Sequence, residues 1–351
     1  MSVCTAIASG NWSAASGVWS GGSGTGGVPA AGDSIVIYTP NVITIDTNTV
    51  LVTTISGTGT LQVSTVAGSY TLNCNNGISV TNFLAGTSGT PLPATVDFQV
   101  QLQTNNGAIS TNGCQLYGAP NPTGTPITIS TSAISSINPA NTTIVTATAH
   151  NLVASMQVNI SGHATNTGIN GYWTVMRVNS TTSFDIGYMT VTGGTGGSVY
   201  HCKLTGFLTS ACNGSTTVQV AGDFTGWNTL IQGLPAGRAN CWINRYTAQS
   251  YGTTANCKAT LSQATPITYN SGTNTSTITL ASALPENKEI GSSITFNCRN
   301  IILQSTGTNV CKTLTNAVTQ YCEFRSTSGY GVYYGTGHNA TGASFSGNSY
   351  G

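Results

Sequence analysis

The sequence predicts an all-β chain made of parallel β-helix-like segments with an inserted small antiparallel β-barrel or sandwich. Three observations predict it. Short β-branched runs recur about every eight to ten residues, separated by Gly, Asn, Ser and Thr, a spacing that suits strands joined by turns with no helix between them. Charged residues make up only 5% of the 351, far below the roughly 25% of an ordinary globular protein. Thr, Ser, Asn and Gly take their place, and Thr serves strands as well as solubility because it is β-branched and carries a hydroxyl. The third observation is a pair of tryptophans, Trp12 and Trp19, placed just before the first strand.

Residues 11–37 open the first segment. Trp12 and Trp19 supply two large apolar faces, Val28-Pro29 and Gly32-Asp33 form a turn, and Ile35-Val36-Ile37 starts a strand. An open β-helix has a raw hydrophobic end that something bulky must cover, and the two indoles read as that cap. The runs at 42–45, 51–55, 61–63, 70–72 and 78–80 read as successive rungs. This capped segment is expected over residues 1–124, ending in the Pro/Gly-rich stretch 118–124.

A segment of different character follows over 125–203. Alternating runs at 127–130, 143–152, 156–162, 168–178 and 182–186, joined by short turns, indicate five or six antiparallel strands. Residues 204–351 return to β-helix character, with runs at 275–285 and 294–303 and a tail of two further rungs beyond Tyr321.

Ten cysteines stand at 4, 74, 114, 202, 212, 241, 257, 298, 311 and 322, none in a Cys-x-x-Cys pair, so a zinc site is a weak reading. Mostly reduced thiols buried in the core are expected, with Cys298, Cys311 and Cys322 recurring at about one short rung as an inward ladder. Disulfides are the rival account if the chain matures in an oxidising medium. The net charge of +1, with every Lys and Arg from Arg177 onward, gives no electrostatic footprint for nucleic acid or an anionic membrane. No run of about 20 apolar residues is present to cross a bilayer.

Catalysis is not expected. Glycoside cleavage generally needs two carboxylates facing each other across the bond, and the chain has eight in all. Asp33 and Asp46 read as turn makers, Asp185 as part of a strand, and Glu286 and Glu289 as solvated loop residues. Asp97 and Glu323 complete the set, and Asp223 is the most site-like because Phe224 and Trp227 lie beside it, although a turn role is the commoner one for such an Asp. No Gly-x-Ser-x-Gly elbow, phosphate loop or His-Glu-x-x-His helix is present, and the four His residues are scattered. No cofactor and no metal is expected. Aromatics offer a second route to function: Trp242 and Tyr246 form one group and Tyr330, Tyr333 and Tyr334 another, fit for contact with a glycan or a partner protein.

Two resemblances bear on function. Thr148–Leu152 (Thr-Ala-His-Asn-Leu), Val-Asn-Ile-Ser-Gly at 158–162, Ile-Asn-Gly-Tyr-Trp-Thr-Val at 169–175 and Ser-Phe-Asp-Ile at 183–186 occur in order over some 60 residues. In this the middle segment resembles a module of tailed-phage structural proteins, often described as similar to the first catalytic cysteine half-domain of ubiquitin-activating enzyme. The likeness concerns shape, and it implies a turn position for His150 without a catalytic role. The Trp…Trp…Pro…Gly-Asp pattern of residues 12–33, with 275–303, resembles the G8-type region found at the start of β-helices in glycan-binding and glycan-cleaving surface proteins.

With the first resemblance, the charge-poor surface and a start, Met1 to Ala8, that lacks the features of a secretion signal, the expectation is a non-catalytic structural protein of a tailed-phage virion. A tail fibre, spike or capsid-surface decoration would provide rigid assembly and host-glycan contact. The expected partners are copies of itself, a trimer by analogy with β-helical spikes, and other virion proteins. The N-terminal part of a glycan-degrading β-helix enzyme and a secreted bacterial adhesin are the alternatives.

Overall fold

The computed structural model describes residues 2–103, 108–111, 113–134, 141–187, 189, 191, 193–244, 256–284, 287–306, 309–314, 318–326, 330–332, 344–346 and 349–350. The fold is all-β, with one short α-helix, Asn228–Gly233, among the described residues. No helix among them is long and apolar enough to cross a membrane. The chain forms two compact units. One comprises Met1–Pro120, Gly233–Pro235 and Arg299–Gly351, the other Asn121–Gln232 and Ala236–Cys298.

The first unit consists of parallel ladders. Strands Val3–Ala6, Ser34–Ile37, Thr54–Val63, Gly77–Ala85, Ala108–Thr111, Asn309–Leu314 and Tyr330–Val332 pair in parallel, each with the next. A second parallel series runs Gly10–Asn11, Val42–Ile45, the later halves of Thr54–Val63 and Gly77–Ala85, then Gly113–Tyr117, Val318–Gln320 and Ser344–Ser346. A third runs Gly68–Cys74, Val96–Leu102, Ile301–Ser305, Cys322–Ser326 and Ser349–Tyr350. The chain thus visits the three series in turn and comes back beside its previous pass. Where it turns from the first series to the second, Gly57 has φ +121, and a Cβ there would stand 2.2 Å from the Ile37 carbonyl of the preceding coil.

Period-2 alternation explains why these residues take this form. In Ser34–Ile37 and Val42–Ile45 every second side chain is buried, and in-register pairing then sets like on like. Ile35, Ile55 and Ile78 occupy matched positions on consecutive strands, as do Ile43, Leu61, Phe83 and Cys114. In the third series Leu72, Val100, Leu303 and Phe324 form another column. Each fully buried Ile or Leu contributes about 1.5–3 kcal/mol relative to exposure, so the columns are the main source of cohesion.

Trp12 and Trp19 pack edge to face with ring centroids 5.3 Å apart, and both are buried in this same core. The Trp19 indole N–H donates to the Trp12 carbonyl at 3.2 Å. Strand Trp19–Ser20 pairs antiparallel with Val3–Ala6 and so covers its free edge. Asp33 locks the adjoining turn: its carboxylate accepts the Ser23 N–H at 2.9 Å, the Ser23 hydroxyl at 2.6 Å and the Ala30 N–H at 2.9 Å. The other turn acid, Asp46, accepts the Ser13 backbone N–H at 3.0 Å.

Asn300, fully buried, ties the start of strand Ile301–Ser305 to two earlier stretches of the chain. Its amide donates to the carbonyls of Leu92, Pro93 and Val96 at 3.2, 2.9 and 3.0 Å, and its Oδ1 accepts the Ala119 N–H at 2.8 Å.

The second unit is antiparallel. A seven-stranded sheet has the order Gly171–Thr174, Gln157–Ser161, Ser198–His201, Ile127–Ile134, Asn141–Thr146, Ser183–Gly187, Arg177–Ser180. Ile144, Val158, Ile160, Phe184 and Val199 are among its buried core. Asp185 is buried within it, paired with Arg177 at 2.8 Å and accepting from Asn179 and Thr143, a structural role. Thr205–Phe207, Ser293–Asn297, Asn240–Asn244 and Asn256–Thr260 form a four-stranded sheet, and Thr217–Ala221, Thr275–Thr279 and Ile267–Asn270 a three-stranded one.

This division differs from the three segments expected over 1–124, 125–203 and 204–351. Residues 204–298 do not resume parallel coils; their strands pair antiparallel and belong to the second unit, and the parallel ladders restart at Ile301. The cause is that alternation marks a half-buried strand and says nothing of its neighbour's direction. The expected cysteine ladder divides in the same way: Cys311 is paired with Ile109 in the first series, Cys322 with Ile301 in the third, and Cys298 lies in the other unit. Cys4, Cys74, Cys114, Cys202, Cys212, Cys241, Cys298 and Cys322 carry free thiols.

Candidate binding cleft

The second unit contains a cleft of about 410 Å³, lined in part by His201, Lys203, Asp223, Tyr269, Asn274 and Asn151. Strand Thr217–Ala221 brings the chain to its floor and ends at Gly222, whose φ of +93 turns it. It is this positive φ that favours glycine here; a Cβ would also meet the Met156 methyl at 2.8 Å, the end of a side chain free to shift. The Ser276 hydroxyl fixes the corner, donating to the Gly222 carbonyl at 2.7 Å and accepting the Phe224 N–H at 3.0 Å. Asp223 then caps the following turn, Oδ1 accepting the Thr225 N–H at 2.9 Å and its hydroxyl at 2.6 Å.

The other carboxylate oxygen, Oδ2, meets Lys203 Nζ at 3.2 Å. Lys203 is held from behind, where the Trp227 indole N–H donates to its carbonyl at 2.5 Å. Phe224, Phe296 and Trp227 stack in sequence beneath, with centroids 5.4 and 5.1 Å apart. His201 packs edge-on against Phe224 at 5.6 Å, and its buried Nε2 has no hydrogen-bond partner. Tyr269 is fixed by its hydroxyl, 3.0 Å from Asn274 Oδ1, while the Asn274 amide donates to the Asn151 carbonyl at 3.1 Å.

Electrostatics follow from burial and pairing. Burial pushes the His201 imidazole down to about 4; Lys203 adds to that push and Asp223 opposes it. Burial would raise the Asp223 carboxyl, but the Thr225 donors and Lys203 outweigh it and hold it below the ordinary carboxylate value. The cleft therefore offers, near neutral pH, a neutral imidazole beside an ion pair whose charges offset each other. Among the described residues no three His, Cys, Asp or Glu side chains are grouped to hold a metal ion.

His150, among the residues lining the cleft, lies in the connection between strands Asn141–Thr146 and Gln157–Ser161. Its Nδ1 accepts the Leu152 N–H at 3.0 Å, its ring packs edge-on against Phe184 at 5.2 Å, and burial lowers its pKa against the opposing carbonyls of Ser183 and Ser180.

The aromatics singled out in the sequence lie elsewhere. Trp242 stands on strand Asn240–Asn244, 38% exposed, with Lys258 Nζ 5.8 Å over its ring. It does not line the cleft. Tyr330 begins strand Tyr330–Val332 and pairs with Asn309. Tyr246, Tyr333 and Tyr334 lie outside the described residues, as does Glu286. Of the remaining carboxylates, Asp97 is buried and accepts from Gln99 at 3.0 Å, and Glu323 is clamped by Arg325 at 2.6 and 2.8 Å. Asp223 was legible as site-like. Lys203, His201 and Tyr269 were not, since only the folded path brings positions 201, 223 and 269 to one place.

Comparison of the chain with protein-family profiles, with curated proteins and with solved structures gave no match.

Proposed function

We propose that the chain is a non-catalytic structural protein of a tailed-phage virion, a fibre, spike or surface decoration that acts by rigid assembly and by contact with host glycans. The observation that supports this reading best is the run of in-register parallel ladders covered at its first strand by the Trp12–Trp19 pair. Such ladders bind each strand to its neighbours in the stack, the kind of repeated pairing on which stiff assemblies are built. The charge-poor, hydroxyl-rich composition accords with an exposed, non-enzymatic surface, and the cleft is lined by one carboxylate, Asp223, where hydrolysis of a glycoside needs two. Copies of the chain and neighbouring virion proteins are the partners of this reading.

Negative-stain microscopy of purified particles of the phage that carries the gene, labelled with antibody against the chain, tests it. Discrete labelling of tail or capsid is the expected result. Particles that lack the chain overturn the proposal.

A further inference from the structure

We infer that the cleft between Lys203, Asp223 and Tyr269 is a binding site for a neutral saccharide. Glycan contact is part of the reading above, and the inference gives it a place and a chemistry; in that sense it rests on that reading.

Three polar groups with unused hydrogen-bonding capacity converge there. Lys203 has three N–H donors, and the Asp223 carboxylate takes one at 3.2 Å. Asp223 can accept about four hydrogen bonds and receives those of Thr225, twice, and Lys203. His201 lines the cleft beside them, and its buried Nε2 has no hydrogen-bond partner among the protein atoms. These donors and acceptors are held by backbone turns and an aromatic stack, so they are in place before any ligand arrives.

The class of ligand follows by elimination. An anion would find the Lys203 charge already offset by Asp223, and a cation would meet the ammonium beside the carboxylate. An apolar ligand would strip water from all three groups and give nothing back. A polyhydroxylated neutral molecule fits each requirement, because every hydroxyl donates and accepts. Tyr269, fixed by its bond to Asn274, adds a rigid ring against which the apolar face of a sugar packs. The volume, about 410 Å³, falls within the roughly 300–1,000 Å³ typical of small-molecule sites.

Ligand-observed saturation-transfer NMR on the full chain tests this with glucose, galactose, mannose and N-acetylglucosamine, their disaccharides, and glucuronate as the acidic comparison. At least one neutral sugar is expected to bind with a Kd of roughly 1 mM. Lys203→Met and Tyr269→Ala should each weaken it by about tenfold or more, with thermal melts showing that the variants are folded. If Lys203→Met does not fold, Tyr269→Ala and Asn274→Ala carry the test. Absence of binding by every neutral sugar, binding unaltered in the folded variants, or preference for glucuronate would each overturn the inference. A chain found in particles but blind to sugars defeats this inference and the glycan part of that reading, and leaves the virion role standing. A sugar-binding chain missing from particles defeats only the virion reading.

Discussion

Asn300 holds Ala119 across 181 positions of sequence, its Oδ1 accepting the Ala119 N–H at 2.8 Å. The two residues stand beside the first unit's boundaries at Pro120 and Arg299, on either side of a long stretch that, apart from Gly233–Pro235, belongs to the second unit. One amide side chain thus closes a loop of the coil that the backbone leaves open, and its NH2 simultaneously fixes the carbonyls of Leu92, Pro93 and Val96.

Replacing this side chain should therefore be severe. Asn300→Ala removes four side-chain hydrogen bonds, three of them buried, and takes the acceptor from the Ala119 N–H, which we expect to cost about 3 kcal/mol or more. Asn300→Asp should cost more still, since it turns a carboxylate oxygen toward carbonyl oxygens. Urea denaturation of the three proteins checks both the size and the order.

The tryptophan pair makes a separable prediction. Trp19→Ala removes a buried indole and should destabilise by about 3–5 kcal/mol. Trp19→Phe keeps most of the packing and loses the 3.2 Å bond to the Trp12 carbonyl, for about 1 kcal/mol. Thermal melts give the comparison, and light scattering should show that the Ala variant, with the edge of Val3–Ala6 less well covered, self-associates more readily.

His201 gives a pH signature. Its folded pKa, about 4, lies below the ordinary 6.5, so the unfolded chain binds the proton first as pH falls. The contribution is complete above pH 6.5 and declines as pH drops toward 4, by about 3 kcal/mol in all. Its imidazole resonances should not titrate until near pH 4, and His201→Leu should flatten the stability profile in that window. Titration near 6.5 would contradict the burial described.

Thiol chemistry provides a fourth check. Burial pushes Cys114 up to about 12 and raises Cys322 further, with Cys114 adding to the effect on Cys322. Neither thiol should react with iodoacetamide in the native protein at pH 8, and mass spectrometry should find both alkylated promptly once the chain is unfolded.

Parts of this architecture are readable from the chain. Strands Ser34–Ile37 and Val42–Ile45 alternate cleanly between turn residues, and Trp12 and Trp19 stand out as bulky groups ahead of them, although the short strands Val3–Ala6 and Gly10–Asn11, which come before both, do not. Strand direction is not readable. Ser34–Ile37 and Ser293–Asn297 both begin Ser-Ile and bury every second side chain, yet the first pairs parallel with Thr54–Val63 and the second antiparallel with Asn240–Asn244. The cleft shows the same limit. Asp223 betrays itself by its turn and its aromatic neighbours, whereas Lys203 becomes a site residue only because the Trp227 indole and the path of strand Thr217–Ala221 carry Asp223 to it.

The scarcity of charge noted at the outset has a material consequence. With charged residues at 5% and cohesion lodged in buried aliphatic columns, the coils owe little to Coulomb forces that dissolved ions could screen. Buried columns so constituted should keep their stability from dilute buffer to brine, because neither hydrophobic burial nor backbone pairing depends on the reach of unscreened charge.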